Sequence, residues 1–131
     1  MADARLDALV AAARDARPRA HAPYSGFAVG AAALSADRIF VGVNVENASS
    51  PMSMCAERNA VAAMVATGER ALDAIAIVTD AEEPTPPCGA CRQVLWEFGP
   101  SSLVVSETLG GIRIIWALED LLPAPFERGA T

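Results

Sequence analysis

The chain has no lysine, one histidine and one tyrosine, and aromatic residues make up only 5% of its 131 residues. Ten arginines against sixteen acidic residues leave a net charge of −6. This balance repels polyanions and offers no basic stripe, so we expect no nucleic-acid partner. A small uncharged ligand is compatible with it.

Long apolar runs are also missing, although 53% of the residues are hydrophobic. A membrane span needs roughly 18 uninterrupted apolar residues, so we expect no membrane partner. Residues 1–19 alternate Asp and Arg among Ala and Leu, without the basic start and apolar centre of a secretion signal. Three cysteines, an odd number in metal-like spacing, favour a reducing compartment. We therefore expect a cytoplasmic protein.

Length and periodicity predict one α/β domain over residues 1–131. Helical spacing predicts helices at residues 4–17, 55–67 and 88–98, and a short helical turn at 118–122. Strands are predicted at residues 28–34, 38–45, 72–79, 102–105 and 111–116. Strands that alternate with helices indicate a layered domain with a mixed sheet.

All three cysteines lie in two short motifs, CAER at residues 55–58 and PCGAC at residues 87–91. A catalytic zinc has three protein ligands and keeps one position open, whereas a structural zinc is closed by four. Three thiols therefore indicate a catalytic zinc held by Cys55, Cys88 and Cys91. The predicted helix starts at these motifs favour thiolates, because the helix dipole lowers thiol pKa there.

Two residues beside Cys55 complete this candidate site. Glu57 is too close to Cys55 to bind the same ion easily but well placed to exchange protons with water activated by the metal. The alternative for Glu57 is an exposed acid that stabilises a helix N-terminus. Three thiolates leave a zinc site negative, and Arg58 is the candidate that offsets this charge. The alternative for Arg58 is an ordinary surface arginine.

Other polar and aromatic residues are candidates for substrate binding. Strand alternation places Asn44 and Glu46 on the same face, where an amide and a carboxylate can clamp a hydroxyl group. A strand end that reaches solvent is the alternative. Phe27 and Phe126 can supply flat surfaces against which a planar ligand stacks, or belong to the core.

Taken together, the motifs resemble those of the small tetrameric cytidine deaminases. The resemblance runs nearly end to end and rests on PYSGFAVGA at 23–31, NVEN at 44–47, CAER at 55–58, PCGACRQ at 87–93 and LLP at 121–123. It implies an α/β/α sandwich with a mixed five-stranded sheet. It also implies Zn²⁺-dependent hydrolytic deamination of cytidine or deoxycytidine to uridine or deoxyuridine, in pyrimidine salvage. Glu57 would then carry protons during attack on C4 of the base, and Arg58 would hydrogen-bond the cysteine thiolates.

The same resemblance implies roles in substrate binding and assembly. Asn44 and Glu46 would hold the ribose 3′-hydroxyl. Phe27 and the backbone of Ala56 would line the base pocket. Phe126 would reach the base from a neighbouring subunit, so the resemblance implies a homotetramer with shared active sites.

Two positions depart from the family pattern. Val43 stands where the family usually has Cys, an apolar exchange on the opposite face of the strand. Ser50 stands where a tyrosine commonly helps to bind the 5′ side of the sugar, and Pro51 stiffens the backbone after it. A wider 5′ pocket leaves open another substrate, such as a cytosine-containing nucleoside antibiotic of the blasticidin S kind.

Two alternatives of other classes also stay open. Zinc ligation by His21 would complete a Cys3His set and make the protein a structural module rather than an enzyme. Cys88 and Cys91 at a helix start could instead form a thiol redox motif. That second alternative leaves the CAER motif unexplained.

Overall fold

The computed structural model describes residues 3–129 of the chain. The helices are α1 (Asp3–Ala16), α2 (Ala56–Ala66), α3 (Gly89–Phe98) and α4 (Leu118–Leu121). The strands are β1 (Val29–Ser35), β2 (Arg38–Val43), β3 (Ala74–Thr79), β4 (Leu103–Thr108) and β5 (Arg113–Ala117). No helix within these residues is long and apolar enough to cross a membrane. The predicted domain over residues 1–131 includes residues 1, 2, 130 and 131, which lie outside the described part.

The five strands found in residues 3–129 form one mixed sheet in the spatial order β2-β1-β3-β4-β5. β1 pairs antiparallel with β2 and β3, β3 and β4 are parallel, and β5 is antiparallel to β4. Ala36 and Asp37 join β1 to β2, and both have positive φ, as tight hairpin turns require. The parallel pair needs a crossover connection, which contains α3.

Helices cover both faces of this sheet. One apolar cluster lies between α1 and the sheet and includes Leu6, Leu9, Val10 and Ala13. The other lies between the sheet and helices α2 and α3 and includes Met64, Ile75, Ile77 and Leu95. Every residue of β3 is buried, as predicted for a strand covered on both faces. The structure therefore confirms the predicted α/β/α sandwich.

The ends of several strands differ from the predicted ones, and local pairing explains the differences. The predicted strand 38–45 ends at Val43, because Val45 pairs with His21 and Met54 instead of β1. The predicted strand 102–105 extends to Thr108, which pairs with Thr79 of β3. The strand predicted from residue 111 begins at Arg113, since Gly111 has a positive φ and belongs to the turn before it.

Candidate active site

A cavity of about 330 Å³ lies where the carboxyl end of β3 meets the start of α2 and the loop before α3. Its walls contain Ser25, Phe27, Val29, Asn44, Glu46, Ser53, Met54, Cys55, Ala56, Glu57, Ile77, Thr85, Pro86 and Cys88. Most of the residues predicted to be functional are therefore brought together. A larger depression of about 690 Å³, lined by Arg5, Leu72 and Pro100 among others, contains none of them.

The two cysteine motifs meet because each begins a helix on the same face of the sheet. Cys55 is the N-cap residue of α2, Cys88 is the N-cap residue of α3, and Cys91 lies in the first turn of α3. The Cys88 thiol accepts a hydrogen bond from the backbone N–H of Cys91 at 3.4 Å. The loop before Cys88 is anchored by the Ser106 hydroxyl, which donates to the carbonyl of Thr85 at 2.8 Å.

The three thiols have the spacing of a zinc site. Their sulfur atoms lie within 4.8 Å of one another, and all three cysteines are free. The Cys55 and Cys88 sulfurs are 3.8 Å apart, and those of Cys88 and Cys91 are 3.2 Å apart. Tetrahedral thiolate ligands with Zn–S bonds of about 2.3 Å stand about 3.8 Å apart. The donor set therefore fits a zinc ion.

Within residues 3–129, no other group of three His, Cys, Asp or Glu side chains is close enough to hold a metal ion. His21 is exposed and does not belong to the cysteine cluster. Its backbone instead pairs with that of Val45. The structure therefore gives no support to the Cys3His alternative.

The thiols differ in how readily they ionise. A hydrogen bond with Cys91 is the largest cause that lowers the pKa of Cys55, which falls to about 6. Burial opposes this shift, and a hydrogen bond with Cys88 and the charge of Arg58 add to it. The pKa of Cys91 is raised, first by its hydrogen bond with Cys55 and then by burial. Cys55 therefore supplies a thiolate more readily than Cys91 does.

Glu57 lies in the first turn of α2 and is only 6% exposed. Burial is the main cause that raises its pKa to about 7, against an opposing hydrogen bond from its own backbone. The charge of Cys55 raises this pKa further. A carboxyl group with a pKa near neutrality can both accept and return a proton. The alternative of an exposed helical acid is wrong, because the side chain is buried and faces the cavity.

Arg58 follows Glu57 and is partly exposed. Its charge lowers the pKa of Cys55, which is the electrostatic effect expected of it. Its side chain lies along a shallow groove between α2 and α3 that includes Val61 and Val94. Among residues 3–129, no hydrogen bond joins its guanidinium to a thiol, so that contact stays a prediction.

Asn44 lies on the cavity wall beside the loop that precedes β1. Its Nδ2 donates to the carbonyl of Phe27 at 2.8 Å, and its Oδ1 accepts from the backbone N–H of Val29 at 2.8 Å. Asn44 thus fixes the backbone of this loop as well as facing the cavity. Its own backbone N–H bonds to Val29, so it extends the edge of the sheet beyond Val43.

Glu46 lines the same wall and is bound to the same loop. Its Oε1 accepts from the backbone N–H groups of Tyr24 and Ser25 at 3.0 and 3.1 Å, and its Oε2 accepts from the Ser25 hydroxyl. The Ser25 hydroxyl is the largest cause that lowers the pKa of Glu46. The sequence prediction missed Ser25, whose only signal was its position in the PYSGFAVGA motif.

The two aromatic candidates, Phe27 and Phe126, lie in different environments. Phe27 and Ala56 line the cavity. Phe126 does not line it and is 74% exposed. Gln93 of α3 holds the backbone of Phe126 through two hydrogen bonds of 2.9 and 3.0 Å. Phe126 is therefore fixed on the surface of its own chain.

Ser50 lies outside the cavity, in a neighbouring cavity of about 510 Å³. The two cavities share Ser25, Glu46 and Ser53. They therefore adjoin at Glu46.

A model of the family described as "Cytidine and deoxycytidylate deaminase zinc-binding region" matches residues 4–107. The chain belongs to this family. Its cofactor is Zn²⁺, which the three clustered thiols fit. The thiol redox alternative gains nothing from the match, since the family's zinc-binding region accounts for both cysteine motifs.

Individual deaminases match most of the chain. The cytidine deaminase of Sporosarcina psychrophila is 43% identical over 125 residues, which cover 94% of this chain and 92% of that protein. The cytidine deaminase of Halalkalibacterium halodurans is 44% identical over 121 residues, which cover 90% of this chain and 91% of that protein. These relatives confirm the resemblance drawn from the motifs.

Solved structures of this deaminase family have the same fold. The crystal structure of cytidine deaminase from Burkholderia pseudomallei superposes with a TM-score of 0.88 at 46% identity, covering 92% of this chain and 98% of that one. The enzyme from Mycobacterium tuberculosis superposes with a TM-score of 0.80 at 41% identity, covering 94% and 98%. The predicted fold class and deaminase enzyme class are thereby confirmed.

Proposed function

We propose that this enzyme catalyses the zinc-dependent hydrolytic deamination of cytidine and deoxycytidine. The observation that carries the proposal is one cavity lined by zinc-type thiols, a buried carboxyl group with a raised pKa, and a pair of polar side chains, Asn44 and Glu46. The reaction consumes water and releases ammonia. The products are uridine and deoxyuridine.

The catalytic roles follow from the positions of the side chains. Cys55, Cys88 and Cys91 would hold the zinc, which when bound supplies the Lewis acidity that makes water nucleophilic near neutral pH. Glu57 takes a proton from the attacking water. It gives this proton to the ring nitrogen of the base, then takes the proton of the hydroxyl group added at C4 and gives it to the amine, which leaves as ammonia. One carboxyl group performs these steps because its pKa lies near the operating pH.

Substrate binding is assigned to other residues that line the cavity. Phe27 offers a flat apolar surface for the base, and the backbone of Ala56 contacts the edge of the pyrimidine. Asn44 and Glu46 bind the ribose 3′-hydroxyl. Arg58 offsets the negative charge of the thiolates.

Turnover of cytidine and deoxycytidine by the zinc-loaded protein, followed by ultraviolet absorbance, tests the proposal. Glu57→Gln should retain zinc and lose at least about 100-fold in kcat, as expected when a general acid-base group is removed. Glu119→Gln, an exposed change of the same kind, is the matched control. A fully active Glu57→Gln protein would exclude the role of Glu57.

A second candidate function keeps the chemistry and changes the substrate. The adjoining cavity beside Glu46, lined in part by Ser50 and Asn47, offers room for a substituent on the sugar. This space favours another cytosine-containing nucleoside or a nucleoside antibiotic. Comparing kcat/KM for cytidine with that for cytosine nucleosides carrying a 5′ substituent tests it. A preference for unmodified cytidine would exclude this candidate.

We also infer a homotetramer with shared active sites, in which Phe126 serves a neighbouring subunit. Its high exposure and its attachment to Gln93 support this role. Mixing inactive Glu57→Gln subunits with weakened Phe126→Ala subunits should then restore activity, because some sites receive Glu57 from one subunit and Phe126 from another. Activity equal to the sum of the separate variants would contradict shared sites.

The cellular setting is inferred from the same chemistry. Free thiols in a zinc-type cluster are maintained in a reducing compartment, which supports a cytoplasmic location. Cell fractionation with an antibody against the protein tests the location. Recovery of uridine from cytidine supports a role in pyrimidine salvage.

We further infer that the chain acts as one catalytic domain, since the residues that line the cavity come from β3, α2 and the loops around them.

A further inference from the structure

We propose that Ser25 is a positioning residue for substrate binding, because its hydroxyl links the carboxylate of Glu46 to the backbone of Phe27. The inference rests on the proposed deamination of cytosine nucleosides. It adds a residue that sets the geometry of the substrate-binding wall.

The hydrogen bonds of Ser25 connect Glu46 to the loop that carries Phe27. Its hydroxyl donates to Oε2 of Glu46 and accepts from the backbone N–H of Phe27 at 3.0 Å. Its backbone N–H donates to Oε1 of the same carboxylate at 3.1 Å. Ser25 thus contacts both oxygens of Glu46 and the backbone N–H of Phe27. All three residues line the cavity.

Packing does little to hold this loop in place. Tyr24 is 64% exposed and Phe27 is 39% exposed. Gly26 takes a φ of +70°, a left-handed conformation that glycine adopts without strain. Where few apolar contacts exist, hydrogen bonds determine the local conformation. The position of the Phe27 ring therefore depends on the bonds made by Ser25 and Asn44.

The negative charge of Glu46 strengthens its hydrogen bond with the Ser25 hydroxyl. A hydroxyl that donates to a carboxylate forms a stronger hydrogen bond than one between neutral groups. Without this hydroxyl, one carboxylate oxygen and the Phe27 N–H both lose their partner within the loop. The carboxylate would then be held by this loop only through Oε1, which accepts from the backbone N–H groups of Tyr24 and Ser25, and the Phe27 ring would be less firmly placed in the cavity.

This arrangement predicts an effect on substrate affinity rather than on chemistry. Ser25 makes no contact with Glu57 or the cysteines among the hydrogen bonds of residues 3–129. Ser25→Ala should therefore raise KM for cytidine about tenfold, with kcat within about twofold of the wild type. Ser25→Thr keeps the hydroxyl and should restore KM to within about threefold of the wild type.

The experiment is a double-mutant cycle on the zinc-loaded enzyme with cytidine as substrate. Ser25→Ala, Glu46→Gln and the double variant are compared by KM, kcat and thermal unfolding midpoint. If Ser25 acts through Glu46, the double variant should be little worse than Glu46→Gln alone. Ser101→Ala, an exposed serine at the other end of the sheet, is the matched control.

Three results would overturn the inference: an unchanged KM in Ser25→Ala, effects that multiply in the double variant, or a loss of kcat that Ser25→Thr does not rescue. A wild-type enzyme without cytidine turnover would instead reject the proposed function itself. The two failures are distinguishable, because the second is seen before any variant is made.

Discussion

Gly42 of β2 lies directly against the backbone of Ala60 in α2. A Cβ atom at residue 42 would stand 2.3 Å from the backbone nitrogen of Ala60 and 2.5 Å from the carbonyl oxygen of Ala56. Only glycine permits this approach. Because α2 begins beside Cys55 and carries Glu57, the contact fixes the distance between the catalytic helix and the strand that leads to Asn44.

Gly42→Ala should therefore destabilise the fold. Overpacking against backbone atoms costs about 1–3 kcal/mol of unfolding free energy, and α2 should also move away from β2, raising KM. Urea unfolding measures the first effect and cytidine kinetics the second. At Gly110 an added Cβ would come no closer than 3.7 Å to its nearest neighbour, so Gly110→Ala is the control. Equal stability of the two variants would contradict the close approach.

Zinc content should depend on the three thiols and not on His21. We expect one zinc per chain in the wild type, and loss of most bound zinc in Cys55→Ser, Cys88→Ser or Cys91→Ser. His21→Asn should still bind one zinc per chain, since His21 is not in the cysteine cluster. Metal analysis of dialysed protein measures this. A zinc-depleted His21→Asn protein would revive the structural-zinc alternative.

The metal-free protein should lose stability as pH rises through the pKa of Glu57. This pKa is raised from 4.5 to about 7 in the folded chain, so the folded state binds a proton that the unfolded state has released. The contribution is fully present below pH 4.5 and lost as pH approaches 7. Relative to Glu57→Gln, the wild type should lose up to about 3 kcal/mol across this window. Urea unfolding at several pH values measures it, and a constant difference would contradict the raised pKa.

Glu107 should stabilise the contact between α1 and the hairpin of β4 and β5. It accepts hydrogen bonds of 2.8 Å from Arg14 and from Arg113. Burial acts to raise the pKa of Glu107, but these two bonds outweigh it, and the pKa is lowered. Glu107→Gln should therefore cost about 1–2 kcal/mol at neutral pH.

The effect of Glu107→Gln should also depend on pH. A lowered pKa contributes stability above the unfolded value of 4.5, and this contribution disappears as pH falls through the folded value. The difference between wild type and variant should thus shrink in acid. Chemical unfolding at neutral and acidic pH checks this, with the exposed Asp120→Asn as control. A difference that grows in acid would contradict the ion-pair network.

The sequence by itself determined the local chemistry of this protein. Cys88 and Cys91 fall one helical turn apart, and Glu57 lies two residues after Cys55, because helix periodicity fixes neighbours over short separations. Hydrophobic patterns located the four α-helices and five strands of residues 3–129, though not all of their ends, and alternation placed Asn44 and Glu46 together on one wall. These relationships depend only on residues close in the chain.

Only the tertiary structure decided which distant residues meet. Ser25 reaches Glu46 across 21 residues because the loop before β1 folds over the end of β2, and no local pattern encodes that approach. Glu57 is buried because α2 packs on the sheet at Gly42, and burial is what raises its pKa. Phe126 stays outside its own cavity because Gln93 holds it on α3. Side-chain partners, burial and pKa depend on packing between elements, which the sequence pattern of each element does not specify.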